Sequence, residues 1–198
     1  MRLRVLAVLT CLTMPLPALA DDTASQPPAE DVFSYSTLAV DHLRQHSDYF
    51  SDSSQGNGAA LSYDFGDTYV FGQWNKLDFD RLAGHHSLEG IGVGAHQAYS
   101  STTSFYIDLA FFHDQLSPKL SDRSDNFWRI DYGLRAQATT MIELDAAIFT
   151  ERNSDFGRRP FGERVGGGLD FSKVSLLGAL EHTADGNRVQ FSLVWTYH

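Results

Sequence analysis

The chain has 198 residues, of which 15 are Lys or Arg and 25 are Asp or Glu, for a net charge of −10 at pH 7. This acidic balance argues against nucleic acid as a partner. The single cysteine, Cys11, excludes a disulfide framework, and no segment after residue 20 has the roughly 18 consecutive apolar residues that a membrane helix needs. A helical membrane protein is thereby excluded, whereas a membrane protein built from strands is not.

The first twenty residues have the pattern of a secretory signal peptide. Arg2 and Arg4 precede a short apolar core, and Ala18-Leu19-Ala20 matches a small-residue cleavage site. Cleavage there would remove both arginines and Cys11, leaving a net charge of −12. We interpret residues 21–32, which contain two prolines, as a flexible periplasmic linker. Residues 33–198 are long enough for one domain.

Strand-like stretches follow one another from residue 33 onward without a convincing helix between them. Most run for about 10–14 residues, as tilted strands that cross a bilayer do. We count about ten stretches, at roughly 33–44, 57–66, 68–79, 87–99, 103–116, 126–138, 140–152, 163–172, 173–183 and 187–198. This pattern predicts an all-β protein, a closed up-and-down antiparallel transmembrane β-barrel of ten strands. Eight strands is the alternative, because two strand boundaries depend on a turn at Ser172-Lys173.

The predicted connections alternate between long and short. The long ones are residues 46–56, 80–86, 117–125, 153–162 and 183–187, and the short ones are Gly66-Asp67, residues 100–102, Thr139-Thr140 and Ser172-Lys173. Long loops at one end and tight turns at the other are typical of outer-membrane barrels, where the long loops are extracellular. An even number of strands would place both ends of the barrel on the periplasmic side.

Each of the clearer strands has one apolar and one polar face, whereas the faces of 33–44, 68–79 and 173–183 cannot be assigned from the sequence. In residues 126–138, Trp128 and Leu134 share one face, whereas Arg129, Asp131 and Arg135 share the other. A soluble exported barrel would bury the apolar face and expose the charges, so alternation alone leaves that alternative open. The strand lengths, the alternating loops and the aromatic residues near the last strand's end favour a barrel whose apolar face meets lipid.

The last ten residues, VQFSLVWTYH, carry five apolar or aromatic side chains at every second position: Val189, Phe191, Leu193, Trp195 and Tyr197. Together with the signal peptide and the meander, this strand resembles the closing strand of the small, OmpA-like outer-membrane β-barrels of Gram-negative bacteria. The resemblance implies an outer-membrane location and insertion by the barrel-assembly machinery. It departs from the usual pattern in one respect, because His198 follows the last aromatic residue.

The polar faces predict a lumen filled with ionic side chains. The residues that we assign to this network are Arg129, Asp131, Arg135, Glu143, Asp145, Asp108, Arg164 and Asp170. Because a barrel of eight to ten strands has little room beyond its own side chains, we expect a non-enzymatic protein with a structural or surface-interaction role. A small selective channel is the alternative. Nothing in the sequence indicates a cofactor or a metal ion.

Polar residues at the predicted loop ends suggest two further sites. A hydrolase at the extracellular rim would need histidine beside a carboxylate, and the candidates are His85, His86, Asp78, Asp80, His113, Asp114, His182 and Asp185. Three loop arginines, Arg152, Arg158 and Arg159, could pair with lipopolysaccharide phosphates. The alternating glycines Gly90, Gly92 and Gly94 fit no nucleotide-binding loop, and we expect them to make room inside a narrow barrel.

Overall fold

The computed structural model describes residues 33–47, 52–81, 84–118, 123–153, 161–184 and 186–197. These residues form ten β-strands. They are β1 (Thr37–Ser47), β2 (Asp52–Asp64), β3 (Thr68–Phe79), β4 (Gly84–Ser100), β5 (Thr103–Pro118), β6 (Arg123–Thr139), β7 (Ile142–Asn153), β8 (Phe161–Asp170), β9 (Val174–Thr183) and β10 (Gly186–Thr196). Within the described ranges, no helix is long and apolar enough to cross a membrane.

Every strand pairs antiparallel with the next one in the chain, and β10 pairs with β1 to close the barrel. The predicted closed up-and-down barrel of ten strands is therefore confirmed, and the eight-strand alternative is wrong. A turn at residues 171–173 divides residues 161–183 into β8 and β9. Ser172 adopts a positive φ of 76°, and its amide donates to Asp170 Oδ1 at 2.9 Å.

The strands are strongly staggered around the barrel. Following the register from Leu43 through β2 to β5 leads to Arg123 of β6. Following it the other way through β10 to β7 leads to Arg135, twelve residues further along the same strand. With ordinary strand spacings this stagger corresponds to a tilt of about 40° and a Cα radius of roughly 10 Å. Inward-facing side chains can fill a lumen of that width.

The strands extend further into the predicted long loops than their composition suggests. Residues 52–56, which their serines and Gly56 predict to be part of a loop, form the start of β2. Strands β4, β5 and β6 are likewise two or three residues longer at this end than predicted. Backbone pairing with two neighbours holds these polar segments as strands. The predicted long connection at 183–187 is wrong, because Thr183 and Gly186 pair directly and two residues separate β9 from β10.

The predicted start of the first strand is also wrong. Residues 33–36 precede β1, and three of them (Phe33, Tyr35 and Ser36) are buried. We call residues 33–36 the entry segment. Hydrogen bonds to β2 and to the residue after β10 hold it: Ser36 Oγ accepts from the amide of Asp64 at 3.1 Å, the carbonyl of Tyr35 accepts from Ser62 Oγ at 2.6 Å, and the carbonyl of Ser36 accepts from the amide of Tyr197 at 3.1 Å. The entry segment therefore lies at the end of the barrel that carries the tight turns.

Candidate functional site

The outer wall of the barrel is apolar. Among the described residues, thirty large apolar side chains are exposed and thirteen apolar side chains are buried. Aromatic side chains on the outer wall lie near the tight turns at Tyr63, Phe65, Tyr99, Phe105, Phe171 and Trp195, and further along the strands at Trp74, Phe111, Trp128, Tyr132, Phe161 and Phe191. Aliphatic side chains lie among them. A water-soluble barrel has the opposite arrangement, because water drives apolar side chains inside.

The closing strand contributes to this wall. Val189, Phe191, Leu193 and Trp195 are 36%, 62%, 48% and 57% exposed, and they alternate with inward-facing residues. Tyr197 lies just past the end of β10 and is half-buried, with its hydroxyl donating to the carbonyl oxygen of Ser62 at 2.5 Å. The residue after it, His198, lies outside the described residues.

Arg129 is the centre of the ionic network inside the barrel. It is 7% exposed and bonds to Asp131 through two nitrogens, Nε and Nη2, each at 2.8 Å. The same guanidinium reaches Glu181 at 2.9 Å and Glu151 at 3.5 Å, and it stacks over the ring of Phe149 at 3.6 Å. Three strands, β6, β7 and β9, are therefore joined through one side chain.

A second group of contacts involves Arg164 of β8. Its Nε donates to Asp145 at 3.2 Å, its Nη1 lies 3.6 Å from Asp131, and its Nη2 contacts the hydroxyl of Tyr106 at 2.6 Å. The Tyr106 hydroxyl donates to Asp145 at 2.9 Å, which closes a triangle. Asp131 thus links this group to Arg129.

The remaining members of the predicted network lie apart from these two groups. Arg135 pairs with Glu143 at 2.6 Å on the neighbouring strand, and Asp108 accepts a hydrogen bond from the hydroxyl of Tyr69. Asp170 accepts from Ser175 Oγ at 3.3 Å near the tight turn, and none of the described arginines pairs with it. Of the eight predicted residues, the structure thus brings Arg129, Asp131, Asp145 and Arg164 together.

Several residues of the network were missed in the predicted site. They are Glu151, Glu181, Arg188, Tyr69 and Tyr106. Glu181 and Arg188 form an ion pair at 3.7 Å across β9 and β10. Both residues occupy inward-facing positions of the two-residue alternation, which could have identified them. The run VSLLGAL, however, does not show which face of 173–183 is polar. Alternation placed Tyr106 on the same face as Asp108, but an aromatic ring gives no indication of an ionic network, and Tyr69 lies in a strand whose faces the sequence did not assign.

Glycines make room for aromatic rings in the lumen. Each of five inward-facing glycines lies directly opposite a ring on the adjacent strand, which occupies the space that a Cβ would need. The pairs are Gly90 with Phe112, Gly92 with Phe71, Gly94 with Tyr69, Gly133 with Tyr106, and Gly162 with Phe149. The expectation that Gly90, Gly92 and Gly94 make room inside the barrel is consistent with this packing.

The entry segment packs into the tight-turn end of the lumen. The ring of Tyr35 stacks on His96 with centroids 3.9 Å apart and on Tyr69 at 4.8 Å. Its hydroxyl is 3.3 Å from Oγ of Ser104, and the guanidinium of Arg135 lies 5.1 Å from the ring. The ring and the hydroxyl of Tyr35 therefore both have partners inside the lumen, so that the segment covers this mouth of the barrel.

At the loop end, one candidate histidine lies beside a candidate carboxylate that the sequence placed at a different loop. His86 Nε2 lies 2.7 Å from Asp114 Oδ1 on the lumen side. His113 and His182 instead point outward and bond to Asn126 and Asn187 at 2.9 and 2.5 Å. His85 lies opposite Asp78 in the register, Asp80 follows β3, and Asp185 lies outside the described residues.

Of the three arginines predicted to contact lipopolysaccharide, only Arg152 lies within the described residues. Arg152 is exposed on the outer wall near the loop end of β7, opposite Trp128. Arg158 and Arg159 lie outside the described residues, as do the predicted signal peptide and linker at 1–32. Nowhere in the described ranges do three or more His, Cys, Asp or Glu side chains come close enough to hold a metal ion.

No protein-family model matches the chain, and no curated protein matches its sequence. Solved structures similar to the chain include KdgM porin, with a TM-score of 0.49 and 5% identity over 82% of this chain and 99% of that one. Neisserial surface protein A gives 0.39 and 12% over 81% and 95%, and Ail of Yersinia pestis gives 0.37 and 12% over 80% and 92%. These values are low, so the class of the protein rests on its own barrel.

The closure of the barrel and the placement of its side chains define that class. Pairing of β1 with β10 satisfies the backbone of every strand from both sides, which hydrocarbon requires because it offers no hydrogen bonds. The apolar wall faces outward, and the ion-paired arginines and carboxylates face inward. The chain is a closed up-and-down transmembrane β-barrel of ten strands, as the sequence pattern predicted.

Proposed function

We propose that this protein is an integral outer-membrane barrel with a plugged lumen and a structural or surface-interaction role. The observation that supports this is the burial of inward-facing side chains around the barrel. Leu43, Leu77, Phe149 and Ser104 lie on four different strands, and each is at most 1% exposed. Water would reach such side chains in an open pore. Porins that conduct freely use 16–18 strands, whereas ten strands leave a lumen that side chains fill.

Single-channel recording in planar bilayers tests the proposal. We expect the purified protein, shown to be folded by a heat-dependent gel shift, to give no steady current steps. The variant Leu43→Ala/Leu77→Ala removes two plugging side chains, and we expect more frequent or larger steps from it. Its matched control is Leu61→Ala/Leu193→Ala, which removes two exposed leucines from the outer wall. Steady open steps in the unmodified protein would favour the small selective channel.

For the surface-interaction role, we propose that lipopolysaccharide contacts the loop end through Arg152, Arg158 and Arg159. Support comes from the exposure of Arg152 beside the apolar wall, where a guanidinium can meet lipid phosphates. We expect the triple substitution of these arginines by glutamine to reduce lipopolysaccharide retention on native gels. Equal retention by this variant and by Arg81→Gln, an exposed arginine just after β3, would contradict the proposal.

A hydrolase at the extracellular rim is the second candidate, and the His86–Asp114 contact is the observation that favours it. A histidine held by a carboxylate can serve as a general base. However, no described serine forms a hydrogen bond with His86, so the pair lacks the nucleophile of a serine triad. Ester or peptide hydrolysis that His86→Ala abolishes and His85→Ala leaves intact would establish this function in place of the structural one.

A further inference from the structure

Two buried oxygens on the inner wall lack hydrogen-bond donors. Asp41 of β1 is 7% exposed and Asn75 of β3 is 6% exposed. Neither Asp41 Oδ1 nor Asn75 Oδ1 accepts a hydrogen bond from any residue that the structure describes. Buried hydrogen-bond acceptors almost always have partners, because an unpaired one has lost its hydrogen bonds to water and gained none in return. These two atoms therefore point to something that occupies the space beside them.

The register places both residues beside the same glycine. Asp41 and Asn75 lie opposite Gly58 of β2, one from each side. Asn75 Oδ1 occupies the space that a Cβ at Gly58 would take, so the amide leans across the strand that separates it from Asp41. A side chain at this position would push the amide away. The three residues thus form one row in which an amide oxygen extends toward a carboxylate.

A row of leucines lies next to these oxygens on the loop side. Leu43 and Leu77 flank Gly56 on the same three strands, two residues further toward the loop end, and each is 1% exposed. On the loop side, the oxygens are therefore bordered by buried aliphatic side chains. A carboxylate in such surroundings needs a compensating positive charge.

The described arginines of the lumen do not supply that charge. Arg129, Arg135, Arg164 and Arg188 pair with carboxylates on β6, β7 and β9, and none of them pairs with Asp41. The inner wall of β1 to β5 carries no described arginine or lysine, because Arg44 and Lys76 point outward. The carboxylate of Asp41 therefore lacks a neutralising side chain among the described residues.

We propose that Asp41 and Asn75 form a site for a small inorganic cation inside the barrel. A carboxylate and an amide oxygen are the ligands that hard cations such as sodium and calcium prefer. Water completes the coordination on the lumen side. The cation would neutralise Asp41 and tie β1 to β3 across Gly58, which stabilises the folded barrel. This inference goes beyond the proposed plugged barrel and does not depend on whether the lumen conducts.

The test is the unfolding temperature of the full-length protein in detergent, followed by the gel shift. Chloride salts of sodium, potassium and calcium are compared with N-methylglucamine chloride, whose cation is too large for the lumen, at equal ionic strength. We expect at least one small cation to raise the midpoint by about 4 °C or more, as a ligand that binds only the folded state does. The variant Asp41→Asn should lose this dependence.

Two further variants keep the test decisive. Asn75→Asp adds a second carboxylate, and we expect it to enlarge the response to calcium even if Asp41→Asn folds poorly. Asp78→Asn removes an exposed outward carboxylate from the same strand as Asn75, and we expect it to respond like the unmodified protein. Equal midpoints in all four salts, or a cation response that survives Asp41→Asn, would overturn the site. Both outcomes are independent of the conductance that tests the proposed function.

Discussion

The two sides of the lumen are filled by different means. On β6 to β10, four arginines pair with carboxylates, and Arg129 is the best buried of them. Asp131 connects Arg129 to Arg164, and Glu181 connects it to Arg188. On β3 to β5, three glycines alternate along β4 and aromatic rings from both neighbours cover them. The first side depends on matched charges, and the second depends on matched shapes. Substitutions should therefore have different consequences on the two sides.

The largest effect should come from removing Arg129. The change Arg129→Met leaves Asp131, Glu151 and Glu181 without the guanidinium that they share, and uncompensated buried charge is costly. We expect a loss of about 3–5 kcal/mol in the free energy of unfolding, measured by urea titration of the gel shift in lipid vesicles. The control Arg152→Met makes the same change on the outer wall. Similar losses in both variants would show that the ion pairs of Arg129 do not stabilise the folded barrel.

A smaller effect is expected on the aromatic side. In Gly92→Val the new side chain meets the ring of Phe71, and we expect a loss of about 1–3 kcal/mol from overpacking. Gly72→Val makes the same change on β3 where no atom crowds the position, with the nearest, Gly90 O, at 3.7 Å, so it should cost less. Combining Gly92→Val with Phe71→Ala should recover part of the loss. An unchanged cost in that double variant would refute the role of the ring.

The smallest effect should be at the entry segment. Tyr35→Phe keeps the stack on His96 and Tyr69 but removes the hydroxyl that meets Ser104. We expect a loss of about 1 kcal/mol in the same urea titration. Tyr63→Phe alters an exposed ring on the outer wall and serves as the control. If the control costs as much as Tyr35→Phe, the contact with Ser104 has no measurable value.

The strand count and the faces of the clearly alternating strands could be predicted because they depend on local pattern. A period of two assigns each side chain to one face, and turn residues such as Ser172 divide one strand from the next. The sequence alone could not predict which charges meet. Arg129 contacts Glu181, 52 residues away, because the stagger of the barrel brings β9 to the level of β6 across the lumen.

Strand ends and the entry segment were beyond prediction for a different reason. Beyond the apolar wall, the outward side chains of a strand contact water and need not be apolar. Residues 52–56 therefore have the composition of a loop although they pair as the start of β2. Residues 33–36 have the composition of a strand but lie outside β1, because Tyr35 packs inside the lumen while Tyr35 and Ser36 form hydrogen bonds with β2. In both places, tertiary contacts decide the conformation.

Site-directed spin labelling along β7 tests the central claim, which is that lipid solvates the outer wall. Single cysteines at positions 142–149, in a Cys11→Ser background, are labelled with nitroxide and reconstituted in vesicles. We predict high accessibility to lipid-soluble oxygen at Ile142, Leu144, Ala146 and Ile148, and low accessibility at Glu143, Asp145, Ala147 and Phe149. High accessibility of the even-numbered positions to a water-soluble nickel reagent would contradict the account, because it would place the apolar wall in water.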